Sequence, residues 1–502
     1  MKYIDYVQLN PFQKLAYNLK NFFIALPGNL KKFFCALGRL IKNFFLGIGK
    51  GIGNYCSRFV KGDWATKLSY IIMGVGNAAH GQIVKGLIFL AVEVGYILYM
   101  VGFGWHYLSK FGTLGTEVQH REIINGARVS VPGDNSMLIL LYGVLTIIIT
   151  VLFFIIYIAN TKSAYKAYQA KAAGEHLPTF KEEMKDMLDN KFHVTLLAFP
   201  CLTISIFTVL PLIFMILIAF TNYNAAHMPP GNLFTWVGFD TFAEIFRVTS
   251  SGAGAASKSA TFVELTKWTI VWAIFATVLN YILGMIVALM INKKGIKLKA
   301  LWRTLFVVTV AVPQFVTLLL MNQMLQVDGA INILLQNLGI ISQPILFLNS
   351  TALVARITVI VVNIWVGIPY TILITSGILM NIPADLYESA TIDGAGPARS
   401  FFSITLPYML FVTTPYLITS FIGNINNFNV IYLLTNGGPT TTELYQAGYT
   451  DLLVTWLFKL TMDSKDYNLA AAVGILVFIV CATISLLTFN LTKSAKNEEE
   501  FS

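Results

Sequence analysis

The sequence predicts an all-α polytopic membrane protein of eight transmembrane helices, and three observations carry that prediction. Hydrophobic residues make up 56% of the 502 positions and charged residues only 12%, whereas a soluble globular chain carries roughly a quarter charged residues. A wholly soluble protein is therefore excluded. The apolar residues gather into eight runs, at 86–107, 136–159, 194–221, 266–291, 304–326, 352–380, 404–431 and 467–491. Each reaches the length of about 18 residues at which a helix satisfies its own backbone across a bilayer. Finally, 26 of the 35 Lys and Arg residues flank the runs on the side of the termini and 7 on the other. Basic loops stay in the cytoplasm, so both termini are expected there. The net charge of +10 then reflects membrane topology and gives no support to nucleic-acid binding.

Taken in order, the chain opens without a basic, apolar and small-residue leader near Met1. After Pro27-Gly28, residues Leu30, Phe33, Phe34, Leu37, Ile41, Phe44, Phe45 and Ile48 recur at steps of three and four, with Lys31, Lys32, Arg39 and Lys42 on the other face. That is the pattern of a helix lying in the headgroup region, serving either as an anchor or as a regulatory segment. The first span holds Glu93 and the sixth Arg356, the two ionisable groups away from span ends. Carriers driven by protons or sodium place several carboxylates along the ion path, so ion coupling is disfavoured. Glu93 either serves such a path or pairs with a neighbouring helix. The sixth span contains Pro369, and the seventh is rich in Asn.

No residues for catalysis are found. There is no G-x-x-x-x-G-K-[ST] phosphate loop; Gly47-Ile48-Gly49-Lys50-Gly51 lacks the hydroxyl residue that follows the lysine. His80, His106, His120, His176, His193 and His227 lie too far apart for metal-ligand spacing. Cys35, Cys56, Cys201 and Cys481 form no C-x-x-C pair. The expectation is a non-enzymatic chain with no metal and no cofactor.

The spans do hold amide and hydroxyl groups at helical spacing. Asn363, Gly367 and Tyr370 stand at i, i+4 and i+7 in the sixth span, and Ser420, Asn424 and Asn427 repeat that spacing in the seventh, with Asn426 alongside. An unpaired amide in hydrocarbon costs several kcal/mol, so these faces look toward protein or a hydrated cavity. They are either helix-to-helix contacts or the lining of a path for a ligand rich in hydroxyls, since each amide offers a donor and an acceptor.

Between the sixth and seventh spans lies IPADLYESATIDGAGPARSFFSITLP, residues 382–407. Pro383 opens a short helix whose Leu386, Tyr387, Ala390 and Thr391 are expected to project, and Gly394, Gly396 and Pro397 break it. This compact helical turn suits docking of a soluble partner. It also resembles the Glu-Ala-Ala loop of permease subunits of ATP-binding-cassette importers: Glu388, Ser389, Ala390, Gly394, Ile404, Leu406 and Pro407 stand at the motif's steps, with Ser389 the single departure. FTNYN (220–224), WVGFDTF (236–242), NKKGIKLKALWRTLF (292–306), VNIWVGIPY (362–370), NINNFNVIYLLTNGGP (424–439) and AGYTDLLV (447–454) resemble the maltose/maltodextrin, MalF-like permeases. KGDWATKLSYIIMGVGNAAHGQIVKG (61–86) is similar to Gram-positive forms.

The resemblance implies a cytoplasmic and interfacial arm at 1–85, two extra spans with a linker at 86–193, a six-helix permease core at 194–491 containing the coupling loop 382–407, and a cytoplasmic tail at 492–502. It implies a plasma-membrane subunit importing maltose or maltodextrin-type oligosaccharides, with a second, MalG-like permease, two MalK-like ATPase subunits and an extracellular sugar-binding lipoprotein. Glu388, Ser389, Ala390 and Gly394 would couple to the ATPase. The sugar-contacting positions would be Asn363, Val366, Gly367, Tyr370, Ser420, Gly423, Asn424 and Asn427. Gly423 stands where the family's best-known member has a bulky aromatic, and Val366 replaces a Leu; both open space for longer or differently shaped sugars. The external stretch 222–265, about 44 residues, is too short for the folded domain that some relatives insert there. The competing readings are an importer of another sugar or of a glycerol phosphate, and a non-transporting membrane scaffold.

Overall fold

The computed structural model describes residues 51–124, 127–247, 257–293 and 295–491, with scattered positions between 35 and 50. Most of the amphipathic face expected between 30 and 48 lies outside the described residues, as do Lys493 and Lys496 of the tail; Arg39 and Lys42 are helical. Among the described residues, seven helices are long and apolar enough to cross a membrane, and a bent pair makes up to eight.

In chain order, α1 (Ile83–Tyr99) continues through a π turn into Trp105–Lys110. A hairpin of β1 (His120–Ile124) and β2 (Ala127–Val131) follows, antiparallel with His120 opposite Val131. Then come α2 (Ser136–Ala172), α3 (Phe180–Leu188), α4 (Phe192–Ile204, running on to Ile218), α5 (Lys258–Asn292), α6 (Lys299–Ala311), α7 (Gln314–Met324) and α8 (Ala352–Met380). The loop 382–407 holds α9 (Ala384–Ile392), followed by α10 (Leu406–Ile425), α11 (Phe428–Thr435), α12 (Leu453–Met462) and α13 (Tyr467–Leu491).

Two spans expected to be single are broken. α6 and α7 meet at 86°. Pro313 holds the preceding Val312 extended, at φ −76° and ψ 123°, because a proline ring disfavours the helical region for the residue before it. The seventh span, expected as 404–431, ends at Ile425, and α11 restarts after Asn427, whose side chain accepts from the Val430 N–H at 3.3 Å as an N-cap.

The chain divides into two compact units. The first falls within Met1–Ser109 and Tyr142–Thr208. Here the segment 63–82 is fastened to α1 and α2 by polar groups inside them. The buried amide of Asn160 donates to Ser69 O at 3.0 Å and accepts from Gly74 N–H at 2.9 Å. Glu93 accepts from Met73 N–H at 2.8 Å, so this carboxylate holds the strap on α1. Lys85 pairs with Glu183 of α3 at 2.5 Å.

The second unit comprises Lys110–Leu141 and Val209–Ser502. Its core is layered along the helices. Trp268, Trp272 and Ala276 of α5, Val359 and Val362 of α8, and Val430, Ile431 and Leu434 of α11 form one apolar cluster. Met285 and Ala288 of α5, Ile372 of α8 and Met409 of α10 belong to others further along. Between these layers, α5 presents Thr277 and Asn280 and α8 presents Asn363 and Gly367.

Candidate functional site

The polar layer opens into a chamber of about 560 Å³, counted to its open side. Seven of the eight positions named by resemblance line it: Asn363, Val366, Gly367, Tyr370, Ser420, Asn424 and Asn427. Gly423 does not, although a side chain there would meet nothing within 4 Å. Six further residues join the wall: Thr277, Asn280 and Tyr281 of α5, Gln314 at the start of α7, Thr371 of α8 and Tyr416 of α10. Among the described residues, no charged side chain lines the chamber.

Two amide atoms in this wall are buried without a hydrogen-bond partner, Asn363 Nδ2 and Asn280 Oδ1. One is a donor and the other an acceptor. Leaving such an atom unpaired costs roughly 1–3 kcal/mol, so each side chain would gain by turning its buried amide atom toward a chamber ligand that donates and accepts. Gly367 is what admits Asn280: a Cβ there would lie 2.3 Å from Asn280 Nδ2. The same close approach of α5 and α8 recurs at Gly284, where a Cβ would lie 2.6 Å from Thr371 Cβ.

The other amides are partly occupied by the scaffold. Asn424 Nδ2 donates to Thr277 Oγ1 at 3.0 Å, and its backbone carbonyl accepts from Trp272 Nε1 at 3.0 Å. Asn427 Nδ2 contacts Asn424 Oδ1 at 3.4 Å while its Oδ1 caps α11. Asn427 thus lies beyond the end of α10 rather than on one continuous face with Ser420 and Asn424, and it reaches the chamber because the helix breaks there. Asn426 turns to Ile422 O and to Cys481 Sγ, at 3.3 and 3.8 Å. The amides serve both helix contacts and the cavity wall.

Arg356 lies outside this wall. Its Nε donates to Tyr449 O at 2.8 Å, its guanidinium pairs with Glu264 at 3.2 Å, and it sits 4.6 Å over the Trp268 ring. Its charge is compensated there.

In the loop 382–407, Glu388 and Ser389 are exposed on α9, Ala390 is half-buried, and Gly394 takes φ +76° just after the helix. Tyr387, expected to project, instead points inward, its hydroxyl 2.8 Å from Thr405 Oγ1. The ring is large enough to bridge the turn and fastens α9 to the chain leading into α10. Leu386 and Ile392 are exposed, Ile392 at 86%, which leaves an apolar and acidic surface on a short rigid helix.

Two carboxylates organise the segments outside the spans. Fully buried Asp451 bonds Lys459 Nζ at 2.7 Å, Gly448 N–H at 2.7 Å and Thr455 Oγ1 at 2.8 Å. Burial pushes its carboxyl up, and the lysine and these donors oppose that without overcoming it. Lys459 also donates to Asn436 O at 2.8 Å, joining the Asn-Gly-Gly-Pro turn to the loop before α12. Asp134, below the hairpin, accepts from Lys110 at 2.6 Å and from the N–H groups of Thr116 and Glu117. Burial raises its carboxyl, but these donors outweigh burial and hold it below the usual value.

Comparison with known proteins agrees with this architecture. Residues 280–495 match the family described as "Binding-protein-dependent transport system inner membrane component". The galactooligosaccharides transport system permease protein GanP of Bacillus subtilis (strain 168) is 36% identical over 436 residues, 85% of this chain and 97% of that protein. The maltodextrin transport system permease protein MdxF of the same strain is 35% identical, covering 86% of this chain and 95% of that protein. The maltodextrin transport system permease protein MalC of Streptococcus pneumoniae serotype 4 (strain ATCC BAA-334 / TIGR4) is 33% identical, covering 84% and 93%. A solved bacterial alginate ABC transporter in complex with an alginate pentasaccharide-bound periplasmic protein contains a chain alike in fold, with TM-score 0.51 at 22% identity, covering 62% of this chain and 98% of that one. With such identity over most of its length, this multi-pass membrane chain belongs to the family of permease components of binding-protein-dependent transport systems.

Proposed function

We infer that the chain is a non-catalytic subunit of an ATP-driven importer and carries neutral oligosaccharides of the maltodextrin type through the chamber between α5, α8 and α10. The observation that carries this reading is the uncharged wall with an unpaired amide donor at Asn363 and an unpaired acceptor at Asn280. Sugar hydroxyls are both donors and acceptors and supply what these atoms lack. Tyr281, Tyr370 and Tyr416 add apolar ring surface for the faces of hexoses. Anionic cargo such as a glycerol phosphate fits poorly, because the wall offers no cation. Val366, a small side chain in the wall, leaves room consistent with chains longer than a disaccharide, whereas Gly423 lies outside the wall.

Energy enters through α9. In this reading Glu388, Ser389, Ala390 and Gly394 form the surface that seats in a separate ATPase subunit, two copies of which serve this chain and a second, homologous permease. A sugar-binding protein, lipid-anchored on the outer face of a Gram-positive cell, delivers cargo. Both termini lie in the cytoplasm, on the side rich in Lys and Arg. The arm to residue 85 and the spans and linker over 86–193 precede a six-helix transport core over 194–491.

A second cargo has support of its own, since the relative named for galactooligosaccharides matches as closely as the one named for maltodextrin. The test is uptake by cells that lack other importers and carry this chain with its neighbouring permease, ATPase and binding protein. Labelled maltose, maltotriose, a galactotriose and glycerol 3-phosphate are compared. Uptake of a neutral trisaccharide alone supports the reading and its linkage decides between the two cargos. Uptake of glycerol 3-phosphate alone, or strict preference for a disaccharide, contradicts the assigned cargo or the wide site respectively.

A further inference from the structure

A second cavity lies within the first unit, between the arm helix over 51–61 and α2, and encloses about 1540 Å³ to its open side. Its floor is apolar, with Ile52, Phe154 and Ile158, and its rim is cationic, with Arg58, Lys162 and Lys166; no carboxylate lines it. The order along α2 is telling. Phe154, Ile158, Lys162 and Lys166 follow one another at steps of four, on one face of the helix. Over these twelve residues, about 18 Å of helix, the face passes from hydrocarbon-compatible to basic. Phe154 and Ile158 belong to an apolar membrane span, and the lysines lie just beyond it.

The groove is held in shape rather than left by chance packing. Tyr55 of the arm helix meets Tyr157 of α2, hydroxyl to hydroxyl, at 3.0 Å; Tyr157 donates to Tyr70 O at 2.8 Å and Tyr70 to Tyr55 O at 2.9 Å. Arg58 spends its Nε on Asn54 O at 3.1 Å, while one terminal nitrogen of the same guanidinium is buried without a partner. The rim thus carries three cations, Arg58 among them, above an apolar trough.

We propose that this groove is a binding site for an anionic glycerophospholipid of the leaflet on the side of the termini. Its phosphodiester would be bound by Arg58, Lys162 and Lys166, and an acyl chain would lie along Phe154, Ile158 and Ile52. A charged headgroup joined to a chain matches the groove at both ends, and basic pockets of this kind between membrane helices bind acidic lipid headgroups. A free phosphate would use the rim alone and leave the apolar trough unexplained. The site gives the arm a specific role, since lipid would join it to α2.

The test is native mass spectrometry of the complete transporter complex, purified in detergent and titrated with dioleoyl phosphatidylglycerol or dioleoyl phosphatidylcholine. The wild type retains phosphatidylglycerol in preference to phosphatidylcholine. Lys162→Gln with Lys166→Gln lowers that retention on the order of tenfold, each basic group contributing to the attraction. Lys181→Gln with Lys185→Gln on exposed α3 removes the same charge elsewhere and leaves retention unchanged. All four lysines are exposed, so both pairs fold, which subunit stoichiometry in the same spectra verifies. Phe154→Ala weakens retention with every cation kept. Equal retention in the two lysine pairs, or of the two lipids, would overturn the proposal. Displacement of bound phosphatidylglycerol by millimolar sn-glycerol 3-phosphate would assign the rim to a soluble phosphate instead.

Discussion

Asn363 and Asn280 place a donor and an acceptor in the chamber at a cost to the empty protein, which separates function from stability at single positions. Asn363→Leu removes the unpaired buried donor, so uptake of a neutral trisaccharide is expected to fall at least tenfold, while the melting temperature of the purified complex holds or rises; relief of such an atom is worth roughly 1 kcal/mol. Parallel uptake and thermal-shift measurements check this, and a joint loss of uptake and stability would return Asn363 to a purely structural role. Gly367→Ala acts one step away, since its Cβ needs the space of Asn280 Nδ2, 2.3 Å distant. It is expected to raise the sugar concentration for half-maximal uptake while the subunit still assembles. At this scale the amides of the sixth and seventh spans were legible from their spacing. Asn280 and Gln314 were not, because Asn280 is the lone amide of its apolar run and Gln314 stands eight residues from the next amide, Asn322; the one signal was Thr277, Asn280, Tyr281 and Gly284 at three-, four- and seven-residue steps.

The short elements answer to different forces. On α9, Glu388→Arg reverses the charge of an exposed group that no span uses, and is expected to abolish co-purification of the ATPase while membrane insertion is unchanged. Gly394→Val acts through the backbone, because φ is +76° there and an added Cβ meets open space. The strain is about 1–2 kcal/mol, so partial detachment is expected, weaker than for Glu388→Arg in the same pull-down. At α12, Lys459→Met leaves Asp451 buried with its ion partner gone, which costs about 3–5 kcal/mol. Thermal unfolding should show that loss, largely recovered by adding Asp451→Asn. Near the hairpin, Asp134 has its carboxyl lowered, so its contribution is complete above the ordinary value of 3.8 and lost as pH falls further. Hydrogen exchange at Thr116 and Glu117 is expected to quicken in that acid window. Seven of the eight expected spans were legible because length and apolarity set them locally, the fifth being a bent pair of helices. The breaks at Pro313 and Asn426-Asn427 and the hairpin were not, since a proline or an amide pair in an apolar run is compatible with a continuous helix, and a short, charged hairpin lacks strict alternation.

For the molecule as a whole, a polar layer enclosed by apolar ones, opened by two helix breaks, leaves an uncharged chamber within a membrane chain, and the short exposed helix between its sixth and seventh spans is the surface on which the proposed coupling rests. Family membership follows from identity over most of the chain; what the chamber carries follows from its chemistry. The most direct measurement is uptake of labelled maltotriose into proteoliposomes holding the complete complex with ATP and binding protein, comparing wild type, Asn363→Leu and Glu388→Arg. The account predicts uptake in wild type alone, with the ATPase subunits still bound to Asn363→Leu and released from Glu388→Arg. Undiminished uptake by Asn363→Leu would contradict it, because the sugar would then cross without using the chamber between α5, α8 and α10.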